Sequence, residues 1–345
     1  MSSQPRVLIV IVNYKGAKDT IECLEGVSRL SYTNYQVLLC DNYSNDGSIE
    51  SIYNWSKTRK IDTLLDRNIQ LLSKSHKSAS MEAAIVEQSE IENIQSGHTY
   101  NEQLLIIPVK KNLGFAGANN IGLKYALSSN TFDYVWLLNN DTLCQHDSLQ
   151  QMVNRLDAER EPATCGSRVM HYFRPDTIQA LGGARFNRWT GLSSTTFGRD
   201  LLLDEVSDHR SVELKLDFIT GCSWLVPLDF VRTVGLMQED YFLYFEEIDW
   251  CMRAKKKFKH VYAEDAVVYH KEGASIGSPS GARQSSLLSD FYIFRNKLKV
   301  IWRFNPVAYP LAWLITLLQS INRIRQGHPQ KALLIFRILL GKRVW

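Results

Sequence analysis

The chain has six cysteines, Cys23, Cys40, Cys144, Cys165, Cys222 and Cys251, and no Cys-x-x-Cys pair among them. That absence excludes zinc-finger and thioredoxin-like motifs. Several of the cysteines sit in apolar segments and read as small core residues. No run reaches the roughly 20 apolar residues of a membrane-spanning helix; the nearest, Val307–Leu318, is interrupted by Pro310. Val7–Val12 is too short for a secretory apolar region and no cleavage site follows it, so a reducing cytoplasm is the expected setting. The glycine-rich stretch Asn112–Gly122 lacks a following Gly-Lys-Ser/Thr, which excludes a Walker-type phosphate loop. Acids are nearly missing from the end of the chain. Arg283–Trp345 holds eleven Lys/Arg against Asp290 alone, a net +10, which leaves −6 on residues 1–282. A mildly acidic body with a basic, apolar tail is the result.

What is present has the rhythm of an α/β protein. Val7–Val12, Tyr35–Cys40, Leu104–Val109 and Phe132–Leu138 read as strands. Helical patterns lie between and after them, at about 19–30, from the turn Ser44–Ser48 to about Trp55, within Gly114–Leu127, which reads as a loop leading into a helix, and at 148–158. Such alternation predicts a mainly parallel sheet with covering helices. Residues 57–103 break the rhythm with a polar, Ser/Gln/Glu/Lys-rich stretch, expected to be an inserted helical or mobile excursion. Beyond Thr164 short strands are expected at 165–170 and 218–226, a helix at Glu246–Ala254 and a pair of strands within Lys259–His270.

Polar residues close each strand. The apolar run Tyr134–Leu138 ends in Asn139-Asn140-Asp141, Val12 is followed by Asn13, and Cys40 by Asp41-Asn42. All these ends face the carboxyl edge of one sheet, where open α/β sheets bind ligands. A lone Asp141 there can hold Mg2+ or Mn2+ that takes the rest of its shell from water and substrate phosphates. The plain alternative is a polar turn. Asn112–Gly122 lets backbone approach a ligand and opens a helix whose N-terminus favours anions. Glu246, Glu247 and Asp249 offer three carboxylates within one helical turn. Clustered like charges raise one another's pKa, which suits a general base; a helix start merely enriched in acids is the alternative.

In this order and spacing the segments resemble the family 2 glycosyltransferases of GT-A fold, over about residues 6–275 apart from the insertion. Within that family they look most like the bacterial rhamnosyltransferase-like branch, where Asn-Asn-Asp stands for the Asp-x-Asp motif and Asn-x-Gly-Phe-Ala-Gly-x-Asn-Asn is typical. The resemblance implies a Rossmann-like GT-A domain over residues 1–282. It implies that Asn13 and Asp41 approach the nucleotide base and Asn139 the ribose, with Asn42, Asn112, Gly117, Asn120 and Asn140 also on the donor side. Asp141 would be one metal ligand and His270 a second; Mg2+ prefers oxygen, whereas Mn2+ tolerates imidazole. The second acid of the pair, here Glu247 where the family usually has Asp, would be the base. Asp249 would act beside it or orient the site by pairing with Arg253. Gly221 and Trp224 match the acceptor-side strand, Trp224 stacking on a sugar or filling the core.

The implied reaction is inverting, in-line transfer of a hexose from a nucleotide-diphosphate donor, dTDP-rhamnose first and a UDP-sugar second. The implied acceptor is a lipid-linked glycan of surface polysaccharide such as O-antigen. The tail 283–345, basic and rich in Trp and Tyr, has the profile of interfacial helices on an anionic leaflet, which places the protein peripherally on the inner face of the cell membrane. Packing on the catalytic domain or a homodimer interface are the alternatives for the tail; its apolar fraction argues against nucleic acid. Two other functions compete: a sugar-1-phosphate nucleotidyltransferase, whose loop after the first strand is longer than Asn13-Tyr14-Lys15-Gly16, and a non-catalytic membrane-tethered scaffold.

Overall fold

The computed structural model describes residues 4–61, 63–75, 77–192, 197–205, 209–271 and 286–342; Glu272–Ser275, the polar residues that follow His270-Lys271 in the sequence, lie outside them. Along the chain run β1 (Val7–Asn13), α1 (Ala17–Val27), β2 (Tyr35–Asp41), α2 (Ser48–Thr58), α3 (Thr63–Ser73), β3 (Ala83–Ile85), α4 (Gln88–Glu92), β4 (Leu104–Pro108), α5 (Gly114–Ser129) and β5 (Tyr134–Asn139). Then come β6 (Thr142–Cys144), α6 (Ser148–Asp157), β7 (Ala163–His171), β8 (Arg174–Leu181), β9 (Gly183–Ala184), α7 (His209–Glu213), β10 (Phe218–Ile219), β11 (Ser223–Pro227), α8 (Leu228–Val234), α9 (Glu246–Ala254) and β12 (Lys259–His270). Three helices follow: α10 (Leu287–Phe304), α11 (Tyr309–Arg325) and α12 (Pro329–Leu339).

The main sheet has the order β3-β4-β2-β1-β5-β11-β7-β12-β6, with β8 beside β7. Its first five strands are mutually parallel, β11 runs antiparallel to both neighbours, and β12 is parallel to β7. Both faces of the central strands are covered, which is why they read as unbroken apolar runs. Leu8 and Val10 of β1 enter one core layer, Val7, Ile9 and Ile11 the other. β2, β4 and β5 divide by the same period of two, so Leu137 faces one layer and Trp136 the opposite one.

Residues 57–103 are helical in part, through α3 and α4, and are also tied into the body. They add an edge strand, β3, parallel to β4, and they bury Ile69, Met81, Val86 and Ile91. Arg29, just beyond α1 and itself paired with Glu25, reaches Asp66 at 2.8 Å and the Ser75 carbonyl at 3.2 Å. The segment looked detachable because its core residues come singly, set in polar sequence. Lys259–His270 forms one strand rather than two, with a register break between Ala263 and Val267.

The C-terminal helices also differ in part. α10 is built into the body: Phe294, Leu298, Val300 and Ile301 share the core layer of Ile248 and Trp250. α11 and α12 join it through Ala312, Ile335 and Leu339. Their outer faces carry exposed Leu311, Leu314, Leu318, Ile321 and Ile324 on α11, and Leu333, Phe336 and Leu340 at α12 and just beyond. Among the described residues no helix is long and apolar enough to cross a membrane.

Candidate active site

Register brings the polar strand ends together. Asn13 pairs with Asp41 across β1 and β2, and Val12 with Asn139 across β1 and β5. The Asn13 amide is wholly engaged inside the protein. Its Nδ2 donates to Asp41 Oδ2 at 2.6 Å and Ser44 Oγ at 3.0 Å, while its Oδ1 accepts from Gly16 N and Thr20 Oγ1. Asp41 Oδ1 accepts from Ser44 N at 3.0 Å. Asn13 therefore sets the floor of the edge and orients Asp41. Asn140 Nδ2 donates to the same Thr20 hydroxyl at 3.0 Å.

The glycine-rich turn is locked by two amides. Asn42 Oδ1 accepts from Leu113 N at 2.7 Å, Asn42 Nδ2 donates to Asn112 Oδ1 at 3.0 Å, and Asn112 Oδ1 accepts from Gly114 N. Gly114 has φ +70°, and a Cβ there would stand 2.3 Å from the Phe242 carbonyl oxygen, so no side chain fits. Two expected donor residues lie elsewhere. A Cβ on Gly117 would meet Leu113 Cβ at 2.8 Å, which makes it a packing glycine. Asn120 is buried and binds the Met237 backbone through both ends of its amide, with Glu239 as a further acceptor. Residues on that side of α5 point away from the sheet edge, because one helix turn carries them round to the next loop.

At the other end of the edge, β6 pairs with β12 so that Thr142 stands opposite His270. This brings His270 Nε2 to 3.2 Å from Asp141 Oδ1. His270 Nδ1 lies 2.8 Å from Gln179 Oε1 on β8, so a proton on Nδ1 is held by that amide and the Nε2 side is turned to the carboxylate. Burial disfavours ionised Asp141, but His270 outweighs it and holds the acid below the usual carboxylate range. Lys271 N donates to the Asp141 carbonyl at 3.0 Å, and its ammonium is anchored by Asp19 and Glu22. One carboxylate oxygen and one imidazole nitrogen side by side form a donor set that suits Mn2+. Among the described residues no third His, Cys, Asp or Glu joins them, which leaves coordination positions for phosphate oxygens and water.

A cavity of about 220 Å³ runs from His270 of this pair to the acidic helix. Asn139, His270 and Gln179 line it together with Gly221, Glu246 and Glu247. A Cβ on Gly221 would be 3.5 Å from Glu247 Oε1 and 3.4 Å from the Phe115 ring, so the glycine keeps this narrow part open. Burial pushes the Glu247 carboxyl above its ordinary value; Glu246 is raised further, by burial and then by the charge of Glu247. Neither Oε2 has a hydrogen-bond partner among the described residues. Desolvated carboxylates that line a cavity with one oxygen each left without a partner are costly to keep and mark a functional site.

For two other residues the second of the expected readings is the one observed: Asp249 pairs with Arg253, and Trp224 fills the core. Asp249 is fully buried, held by Arg253 at 2.7 Å, Arg303 at 2.8 Å and the Tyr241 hydroxyl at 3.0 Å. It seats α9 and has no oxygen facing the cavity. Trp224 is likewise fully buried, edge-on to Trp250 with centroids 5.0 Å apart. Its side of β11 faces the core layer, so no ring face is free for a sugar. Sequence reading missed Gln179, which sits on a strand without a motif, and Phe115, hidden inside the glycine-rich run.

Known proteins share the family signature of part of this chain and its fold. Residues 86–212 match the model of glycosyl transferase family 2, which takes in the glycine-rich turn and Asn139-Asn140-Asp141 but stops before Glu246, Glu247 and His270. The chain is 25% identical over 146 residues to the low-salt glycan biosynthesis hexosyltransferase Agl10 of Haloferax volcanii, a match spanning 42% of this chain and 44% of that protein. The chain thus covers less than half the length of this curated relative. The solved mannosyltransferase PcManGT from Pyrobaculum calidifontis, in complex with GDP-Man and Mn2+, superposes with TM-score 0.52 at 14% identity over 100% of this chain and 88% of that one. GalNAc-T7 with UDP, GalNAc and Mn2+ gives 0.53 at 14% identity over 87% and 48%. The similarity to glycosyl transferase family 2 lies in residues 86–212, and the architecture is the GT-A fold.

Proposed function

We propose that the chain is an inverting hexosyltransferase that moves a sugar from a nucleoside-diphosphate donor to a glycan acceptor, with Glu247 as base. One observation carries the reading: a single cavity is lined both by the imidazole of the Asp141–His270 pair and by Glu246 and Glu247, whose Oε2 atoms have no hydrogen-bond partner among the described residues. Asn139, at the end of β5 beside β1, would meet the donor ribose, and the edge oriented by Asn13 and Asp41 the base. Asp141 and His270 would hold Mn2+ or Mg2+, which when bound neutralises charge on the departing diphosphate. Glu247 would take the proton of the acceptor hydroxyl as that oxygen attacks the anomeric carbon. Its raised pKa gives it affinity for that proton, and its burial removes competing water. The mannosyltransferase and GalNAc-T7 structures contain Mn2+, in accord with this assignment.

The donor favoured is dTDP-rhamnose, on the resemblance to the rhamnosyltransferase branch. A thermal-shift screen of nucleotide sugars with Mn2+ tests it. The midpoint is expected to rise most with dTDP-rhamnose; a larger rise with a UDP- or GDP-sugar reassigns the donor, and no rise with any of them removes the transferase reading.

A lipid-linked acceptor on the cytoplasmic membrane face fits the C-terminal helices. Leu311, Leu314, Leu318, Ile321 and Ile324 recur every three or four residues as one exposed stripe on α11, flanked by Arg323 and Arg325. Apolar side chains bordered by cations suit an anionic leaflet. Replacing Leu314 and Leu318 by Ser is expected to cut co-sedimentation with phosphatidylglycerol vesicles, and added salt to weaken what remains. Unchanged sedimentation rejects the membrane role, and a concentration-dependent dimer lost in the same variant assigns the stripe to self-association.

A further inference from the structure

The loop that delivers the two glutamates is strained. Phe242, Tyr244 and Phe245 have φ of +65°, +64° and +75°, the left-handed region that large L-residues rarely occupy. Such a conformation persists only where its surroundings compensate for the strain. Compensation comes from α10. Asn296 is fully buried, and its Nδ2 lies 2.9, 2.8 and 2.9 Å from the carbonyl oxygens of Tyr241, Leu243 and Tyr244. Two amide hydrogens are shared among three carbonyls that bracket the strained residues. Arg295 fixes the orientation of that amide, donating to Asn296 Oδ1 at 2.9 Å and to the Asp240 carbonyl at 3.0 Å. The remaining carbonyl, of Phe242, accepts from Phe115 N at 2.7 Å, and the Phe242 ring stacks on Tyr292 of α10 at 5.0 Å. One loop is thus gripped by the glycine-rich helix start and by the C-terminal region together.

We infer that Asn296 is a positioning residue for the transfer: through the carbonyls of Tyr241, Leu243 and Tyr244 it fixes where Glu247 enters the cavity, which makes α10 part of the catalytic apparatus. This rests on Glu247 being the base. Without the amide donors the loop can leave its left-handed conformation, and Glu247 moves relative to the acceptor oxygen. Arg303, on the same helix, holds Asp249 independently and keeps α9 seated.

The test is a kinetic cycle on the full chain with Asn296→Ala, the isosteric Asn296→Asp, Glu247→Gln and the double variants, reading sugar transfer and nucleoside-diphosphate binding. Both Asn296 variants are expected to lose about 10- to 100-fold in kcat, the scale of a 1 Å misplacement. Donor KM and nucleotide affinity should stay within about 2-fold, as expected when only the transition state is affected. In the Glu247→Gln background a further Asn296 change should add less than about 2-fold, because coupled residues are not additive. Near-normal kcat in both folded Asn296 variants beside an impaired Glu247→Gln overturns the proposal alone, as does a full multiplicative loss in the double variants. Wild-type kcat in Glu247→Gln removes the base assignment and this proposal with it. Should Asn296→Ala fail to fold, Asn296→Asp, which keeps the volume and loses the donors, decides.

Discussion

Glu247→Gln is expected to lower kcat by about 10²- to 10⁴-fold, the range a positioned general base contributes, while nucleotide binding persists. The amide has the shape of the acid but cannot accept the proton of the acceptor hydroxyl. Two features make this the largest single effect. The carboxylate lines the cavity with an unpartnered oxygen, and burial raises its pKa above the ordinary 4.5. A raised pKa has a defined sign in kinetics. Glu247 must be ionised to act, so kcat/KM should fall as pH drops through a value higher than that of an ordinary glutamate. Release of nucleoside diphosphate from the sugar donor, followed across pH, checks both points. An acid limb at or below the ordinary value, or a fully active Glu247→Gln, rejects Glu247 as the base.

The second large effect concerns the cation end. Asp141→Ala should abolish the gain in nucleoside-diphosphate affinity that Mn2+ confers, a loss of about 100-fold or more given that even outer-sphere partners of a metal are worth 10- to 100-fold. The side chain is buried, His270 lies 3.2 Å away, and the backbone carbonyl is pinned by Lys271. Removing the carboxylate therefore takes away the only acid of the pair without disturbing the turn. Titration calorimetry of UDP or dTDP, with Mn2+ and with EDTA, measures the coupling. Equal affinity in the two conditions for the unaltered chain would eliminate the metal role. A coupling that survives in Asp141→Ala would move the cation to other ligands.

Much of this site was legible because strands and turns are local. The apolar runs of β1, β2, β4 and β5 end in Asn13, Asp41, the residues after Pro108 and Asn139, and parallel pairing forces those ends to one edge. Convergence at that edge needs no long-range knowledge. What each side chain does there was less legible. Asn120 and Gly117 lie in the same motif as Asn112, yet helix geometry turns them to Met237 and Leu113. Trp224 and Gly221 are three residues apart, but strand alternation and the bend before β11 leave the glycine in the cavity and the indole in the core. Asp249 sits in the acidic cluster with Glu247, and only the packed helix shows that two arginines use both its oxygens.

The C-terminal helices make the same distinction. Their sequence displays mixed bases and aromatics, which an interfacial helix and a core helix share. Asn296, a lone amide among Phe294, Leu298 and Val300, was the available signal that α10 faces a partner with unsatisfied carbonyls. Composition and periodicity on their own settled that this chain forms a mainly parallel α/β sheet with oxygen-rich strand ends and a basic helical end, because burial on two faces writes an unbroken apolar run into each central strand. Tertiary structure alone decided which acid faces the cavity, that His270 meets Asp141, and that α10 supports the strained loop. Those contacts join residues up to 129 positions apart, and their free energy depends on desolvation and three-dimensional register, which no local pattern encodes.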